Sequence, residues 1–149
     1  GVCMAGNAFA SVLLVKGQED FEDAELSALK ASLEHLGYAP EAWATLLTTT
    51  KTGDPINPEL VRQAISAFSP DTVLMVNDAA VASVREAYAE ELDQLKTDAE
   101  KIFSPRVLVR VCGMRMVNLD NFASALDDPH QKQMRWAAIK QVPPLGEPY

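Results

Sequence analysis

Cysteine, long apolar runs and basic residues are all scarce in this chain of 149 residues, and each scarcity excludes a class of protein. Two cysteines, Cys3 and Cys112, are too few for a disulfide framework or a four-thiolate metal cluster. They predict buried thiols in a reducing compartment, so we expect a cytoplasmic protein. No apolar run reaches the roughly 18 residues that a membrane-spanning helix needs, so we expect no membrane partner. Neither composition nor charge indicates an oligomeric state.

The shortage of basic residues argues against a nucleic-acid binder. Thirteen lysines and arginines face 21 acidic residues, which gives a net charge of −8. Affinity for DNA comes largely from basic side chains that neutralise phosphates, so we expect weak DNA binding or none. The one local basic run is Arg106, Arg110 and Arg115, and we interpret it as solvated side chains at a sheet edge or a helix end.

The remaining composition is that of a folded soluble domain. Hydrophobic residues make up 48% and charged residues 23% of the chain, and a domain of this size buries roughly 70% of its unfolded surface. We predict one α/β domain over residues 1–141. The proline-rich segment 142–149 is predicted to leave the body as an extended tail.

Apolar runs and helical patterns alternate along the chain. Strands are predicted to begin near Phe9, Ala42, Thr72 and either Val107 or Met114, with helices between them. This alternation favours parallel strands joined by right-handed crossovers. We therefore predict an α/β fold with three α/β/α layers around a central, mostly parallel, four-stranded sheet. One long helix is expected after Asn77.

The last third of the chain carries the most specific pattern. A predicted strand ends near Leu119, and a helix follows that begins with Asp128-Pro129 and carries Trp136, which we expect to be largely buried. This resembles the C-terminal signature of the uracil-DNA glycosylase superfamily, in which a strand ends in His-Pro-Ser and the last helix carries Asn-Pro, a lysine and a tryptophan. The resemblance implies the sheet order 2-1-3-4.

The catalytic half of that signature is absent. Counted back from Asp128-Pro129, the histidine of the family falls at Asn121, its proline at Phe122 and its serine at Ala123. In the family, the histidine stabilises charge on the departing base. Asn121 is therefore a candidate catalytic residue that could donate a hydrogen bond there, and the alternative is a turn residue that serves the local backbone.

The loop after the first strand holds the other candidates for chemistry. Glu19 and Asp20 could activate a water, because glycosidic hydrolysis uses a carboxylate close to the anomeric carbon. The alternative is that the acidic residues of this region stabilise the first turn of the next helix by their charge. The members of this acidic run are Glu19, Asp20, Glu22, Asp23 and Glu25.

Polar residues at the predicted strand ends are candidates for a ligand pocket. They are Gln18, Thr49, Asn77 and Asp120. In open α/β sheets the carboxyl edge of the strands is the ligand-binding edge. The sequence has no glycine-rich phosphate motif and no cysteine–histidine cluster with metal spacing, so we expect no cofactor and no metal.

Two functions are compatible with these patterns. The first is a non-catalytic glycosylase-like module that binds a protein partner and has a link to DNA metabolism, similar in type to the psi subunit of bacterial DNA polymerase III. The second is a divergent hydrolase of N-glycosidic bonds that uses Glu19 or Asp20. A pocket in which either carboxylate faces Asn121 would favour the hydrolase.

Overall fold

The computed structural model describes residues 3–6, 11–18, 20–39, 42–49, 54 and 56–144. In these ranges one sheet is flanked by helices. The strands are β1 (Cys3–Gly6), β2 (Val12–Lys16), β3 (Trp43–Leu47), β4 (Thr72–Met75), β5 (Leu108–Val111) and β6 (Met114–Asn118). The helices are α1 (Asp23–Leu36), α2 (Pro58–Phe68), α3 (Asp78–Ala87), α4 (Ala89–Asp93), α5 (Asp98–Lys101) and α6 (Pro129–Ile139), with a 3-10 turn at Phe122–Ala125.

The strand order is β1-β3-β2-β4-β6-β5. The four central strands, β3, β2, β4 and β6, are parallel, and they correspond to the predicted order 2-1-3-4. The α/β prediction with a mostly parallel sheet is therefore confirmed. Two antiparallel edge strands extend this core: β1 pairs with β3, and β5 forms a hairpin with β6. The hairpin turns at Cys112 and Gly113, both with positive φ.

Strand β2 shows why the sheet is covered on both faces. All of its residues are buried, as its uninterrupted apolar run predicts. Leu13 and Val15 pack into the core beneath α2 and α3, whereas Val12 and Leu14 pack into the core beneath α1 and α6. Alternate side chains of one strand thus serve two cores, which makes the fold a three-layer sandwich.

The helix ends follow local sequence chemistry. The Asn57 side chain accepts a hydrogen bond from the Glu59 amide at 2.8 Å and starts α2. The Asp128 side chain caps α6 by accepting hydrogen bonds from the amides of His130 and Gln131. Gly37 ends α1 with a φ of 112°, a conformation that favours glycine.

The prediction of a single long helix after Asn77 is wrong. The chain leaves the helix at Tyr88, between α3 and α4. The Tyr88 ring is buried there, and the Arg62 guanidinium lies over it at 4.7 Å from the ring centre. Arg62 also pairs with Glu91, and its hydrogen bonds lower the pKa of that carboxyl to about 2. The interruption therefore accompanies a cluster that ties α4 to α2.

Three predictions about burial are wrong as well. Cys112 is exposed because it lies at the tip of the β5–β6 hairpin. Arg115 is buried, not solvated, because its guanidinium is hydrogen-bonded to Thr72 inside the fold. Trp136 is only half-buried, because it lies in a groove between α1 and α6, where its ring centre is 5.4 Å from that of His35.

The predicted tail begins inside the packed part of the molecule. Val142 is fully buried, and its carbonyl accepts a hydrogen bond from the Tyr38 hydroxyl at 2.7 Å. Residues 145–149 lie outside the described part of the chain. In the described part, every helix is too short or too polar to cross a membrane.

Candidate functional site at the carboxyl edge of the sheet

A cleft of about 320 Å³ opens where β2, β4 and β6 end. We call it the carboxyl-edge cleft. Its polar lining includes Lys16, Gln18, Glu25, Asn77, Asp78 and Asn121. Three residues predicted from sequence, Gln18, Asn77 and Asn121, therefore meet at this edge. The carboxyl ends of parallel strands are the usual place for a ligand in such folds.

The floor of the cleft holds a buried ion pair. Lys16 is the last residue of β2, and its ammonium lies 2.6 Å from Oε1 of Glu25 in the first turn of α1. The two side chains are 1% and 0% exposed. The Glu22 amide also donates to Oε1, at 3.2 Å, whereas Oε2 is buried and has no donor among the described residues.

This ion pair is not predicted from the sequence. The acidic run predicts Glu25 only as a charge in the first turn of a helix, and Lys16 is not among the predicted site residues. A signal was available, because a lysine that directly extends a fully buried strand requires a counter-charge close by. Sequence alone does not say which acid of the run supplies it.

Asn77 clamps the loop after β2 to the start of α3. Its Oδ1 accepts from the amides of Gly17 at 3.1 Å and Ala80 at 3.0 Å, and its Nδ2 donates to the Gly17 carbonyl at 2.7 Å. These bonds cap α3 and hold Gly17 in contact with it. Asn77 lines the cleft, but its hydrogen bonds serve the fold.

Gln18 and Thr49 form a second support of the same loop. Gln18 has a φ of 70°, and its amide donates to Oγ1 of Thr49 at 3.0 Å. Thr49 is 5% exposed and lies outside the cleft lining. The threonine is a predicted ligand-pocket residue because it follows a strand, but its hydroxyl points to the loop backbone and fixes the position of Gln18.

Asn121 closes the cleft on the far side. It has a φ of 55°, its Oδ1 accepts from the Asp78 amide at 3.1 Å, and its Nδ2 donates to Oδ2 of Asp78 at 3.1 Å. Both ends of the Asn121 amide are thus bonded to the first residue of α3. We call this pair the Asn121–Asp78 clamp.

The remaining sequence candidates lie elsewhere. The Asp120 carboxylate lies 3.1 Å from Arg106 and 3.6 Å from Arg135, so it serves an ion-pair cluster beside α6 and not the cleft. Asp20 is exposed, and its carboxylate accepts from the next amide, of Phe21, at 2.7 Å, outside the cleft lining. Glu19 lies outside the described residues.

The chemistry open to the cleft follows from these bonds. Its buried carboxylate is neutralised by an ammonium, and its two asparagines are bonded to the fold. General acid–base chemistry needs a group within hydrogen-bond reach of the substrate. Among the described residues, no group of three or more histidine, cysteine or acidic side chains could hold a metal ion. Because its side chains are held by bonds within the fold, the cleft is a rigid surface that is suited to binding.

Comparison with protein-family models and with curated proteins gave no match. The resemblance to the glycosylases therefore stays a prediction, made from the residues of the last third of the chain.

Proposed function

We propose that this protein is a non-catalytic, uracil-DNA glycosylase-like domain that works as an accessory module. It binds a protein partner in the cytoplasm, in a process linked to DNA metabolism. The observation that carries the proposal is the Asn121–Asp78 clamp, which occupies the point where the resemblance puts the catalytic histidine.

The clamp argues against catalysis for an electrostatic reason. A group that stabilises a departing base must aim a free donor at the charge that develops on the base. One N–H of the Asn121 side-chain amide is bonded to Asp78, which fixes the direction of the other, and the asparagine has no positive charge to offer. The same residue therefore braces α3 against the loop after β6.

Charge favours a protein over DNA as the partner. The cleft rim carries the exposed carboxylate of Asp78, and the exposed Glu22 and Asp23 lie at the start of the neighbouring α1. Added to a net charge of −8, these groups repel phosphates. A protein surface with basic or neutral groups meets no such penalty.

Direct binding to DNA tests the choice of partner. Fluorescence anisotropy with labelled single-stranded and duplex oligonucleotides, with and without one uracil, should give no saturation at near-physiological salt. We expect a Kd weaker than about 10⁻⁴ M, the weak end of non-specific DNA binding. The uracil-free oligonucleotide is the control. Saturable binding in the micromolar range that depends on uracil would contradict the proposal.

A divergent N-glycosidic hydrolase is the second candidate, and one observation favours it. Glu25 is one of the residues that line the cleft, and its buried Oε2 has no donor among the described residues. Of the sequence candidates, Asp20 is exposed and bonded to its own turn, so hydrolysis would depend on Glu25 or on Glu19. The hydrolase ranks second because Lys16 neutralises Glu25 and both are sealed from water.

A further inference from the structure

A second cleft, of about 380 Å³, lies at the opposite, amino-terminal edge of the parallel strands. We call it the amino-edge cleft. It is lined by the buried Arg115 of β6 and by residues that include Ser11, Tyr38, Ala42, Asp71 and Pro144. The two clefts share no lining residue, so a ligand site at the amino edge is independent of the proposed function.

Arg115 is a buried cation whose bonded acceptors are all neutral. Its Nε and Nη2 donate to Oγ1 of Thr72 at 3.1 and 2.8 Å, and Nη2 also donates to the Tyr38 hydroxyl at 3.2 Å. The ion pairs between described residues join Lys16, Arg62, Arg106 and Arg135 to carboxylates, and Arg115 is not among them.

Arg135 is an equally buried arginine that does have a carboxylate partner. Arg115 and Arg135 are both 6% exposed, but Arg135 lies 3.6 Å from the Asp120 carboxylate. Buried charges in proteins are normally paired, because an unpaired charge loses its hydration without compensation. Nη1 of Arg115 has no acceptor among the described residues, and the side chain lines a cleft that a ligand can enter. An anion in this cleft would supply the missing partner.

The surroundings of Arg115 define which anion fits. The exposed Asp71 carboxylate lines the same cleft, and α1 ends there at Gly37 with the negative end of its helix dipole. Both features therefore disfavour a ligand that carries a second negative charge. A planar carboxylate matches the guanidinium and carries a single charge. Ala42 and Pro144 provide an apolar wall beside it.

We propose that the amino-edge cleft binds a monocarboxylate with a small apolar body, and that Arg115 is its anchor. The carboxylate belongs either to a free acid or to the C-terminus of a peptide. A phosphate dianion is disfavoured by Asp71.

A titration followed by amide NMR shifts tests the site with two probes at constant ionic strength. The probes are sodium butyrate and a short apolar peptide with a free C-terminus, and the peptide amide and sodium phosphate serve as ligand controls. We expect saturable shifts at Gly37, Tyr38 and Arg115 with a carboxylate probe. Saturation by butyrate identifies a free acid as sufficient, and saturation by the peptide alone identifies a C-terminus.

Two substitutions and one control variant test whether carboxylate binding depends on charge. Arg115→Met should weaken binding by about tenfold or more through loss of a charge-assisted hydrogen bond. Arg110→Met is the matched control, because Arg110 is the exposed cross-strand neighbour of Arg115. Asp71→Asn removes the opposing charge without touching Arg115, and it should tighten binding by about twofold or more.

The outcomes are distinguishable even if Arg115→Met unfolds the protein, because Asp71→Asn leaves the buried hydrogen bonds in place. Three results would overturn the proposal: no saturable shift with either carboxylate probe, equal weakening by Arg115→Met and Arg110→Met, or unchanged affinity in Asp71→Asn.

Discussion

Lys16→Met should lower the free energy of unfolding by about 3–5 kcal/mol, because it leaves the Glu25 charge buried without a counter-ion. Methionine keeps the apolar stem of the lysine and removes the ammonium that lies 2.6 Å from Glu25. The loss is therefore electrostatic and not a cavity effect. Urea titration of the wild-type and variant proteins measures it.

The matched control for this substitution is Lys30→Met on the exposed face of α1, which should change stability by less than about 0.5 kcal/mol. The double variant Lys16→Met, Glu25→Leu should recover most of the loss, because an apolar pair of similar volume avoids burial of charge. If Lys16→Met loses less than about 1 kcal/mol of unfolding free energy, Glu25 reaches water in the variant. If the double variant is as unstable as the single one, the loss is due to packing and not to charge.

Gly17→Ala should cost about 3 kcal/mol, near the upper end of typical overpacking costs. A Cβ at this position would lie 2.6 Å from Oγ1 of Thr48 and 2.8 Å from Cβ of Ala79. Thr48 directly follows β3 and Ala79 lies in α3, and the Gly17 backbone makes two hydrogen bonds to Asn77. Relief of the clash would therefore pull the loop away from Asn77.

Gly113→Ala separates crowding from backbone strain. Gly113 has a φ of +80° and no atom within 4 Å of its would-be Cβ, so alanine there should cost only the strain of about 1–2 kcal/mol. Chemical denaturation compares the two variants. A smaller loss of unfolding free energy for Gly17→Ala than for Gly113→Ala would show that the loop after β2 moves to make room for the Cβ. The carboxyl-edge cleft would then not be rigid.

The parallel core was predictable because its signals are local. The apolar runs of β2 and β4 specify strands buried on both faces, and the caps at Asn57 and Asp128 specify where helices begin. The break at Tyr88 was not predictable, because apolar residues keep helical spacing on both sides of it. Contact with Arg62, from another helix, accompanies the turn of the chain there.

The candidate site was predictable only in part. The topology brings every parallel strand end to one edge, so Gln18, Asn77 and Asn121 meet there as expected. Thr49 and Asp120 also follow strands but point elsewhere, because position after a strand fixes the backbone and not the side-chain direction.

Release of uracil from a labelled oligonucleotide is the most direct test of whether the carboxyl-edge cleft binds or hydrolyses. At stoichiometric protein we expect no release above the buffer background from single- or double-stranded substrate. Loss of one electrostatic group alone costs about a hundredfold or more in rate. Here Asn121 stands where the resemblance to the glycosylases puts the histidine, and the buried carboxylate of the cleft floor is paired with Lys16. Glu19→Gln, Asp20→Asn and Glu25→Gln should be as inactive as the wild type. Uracil release by the wild-type protein that any of these three substitutions abolishes would contradict the non-catalytic proposal and identify the carboxylate responsible.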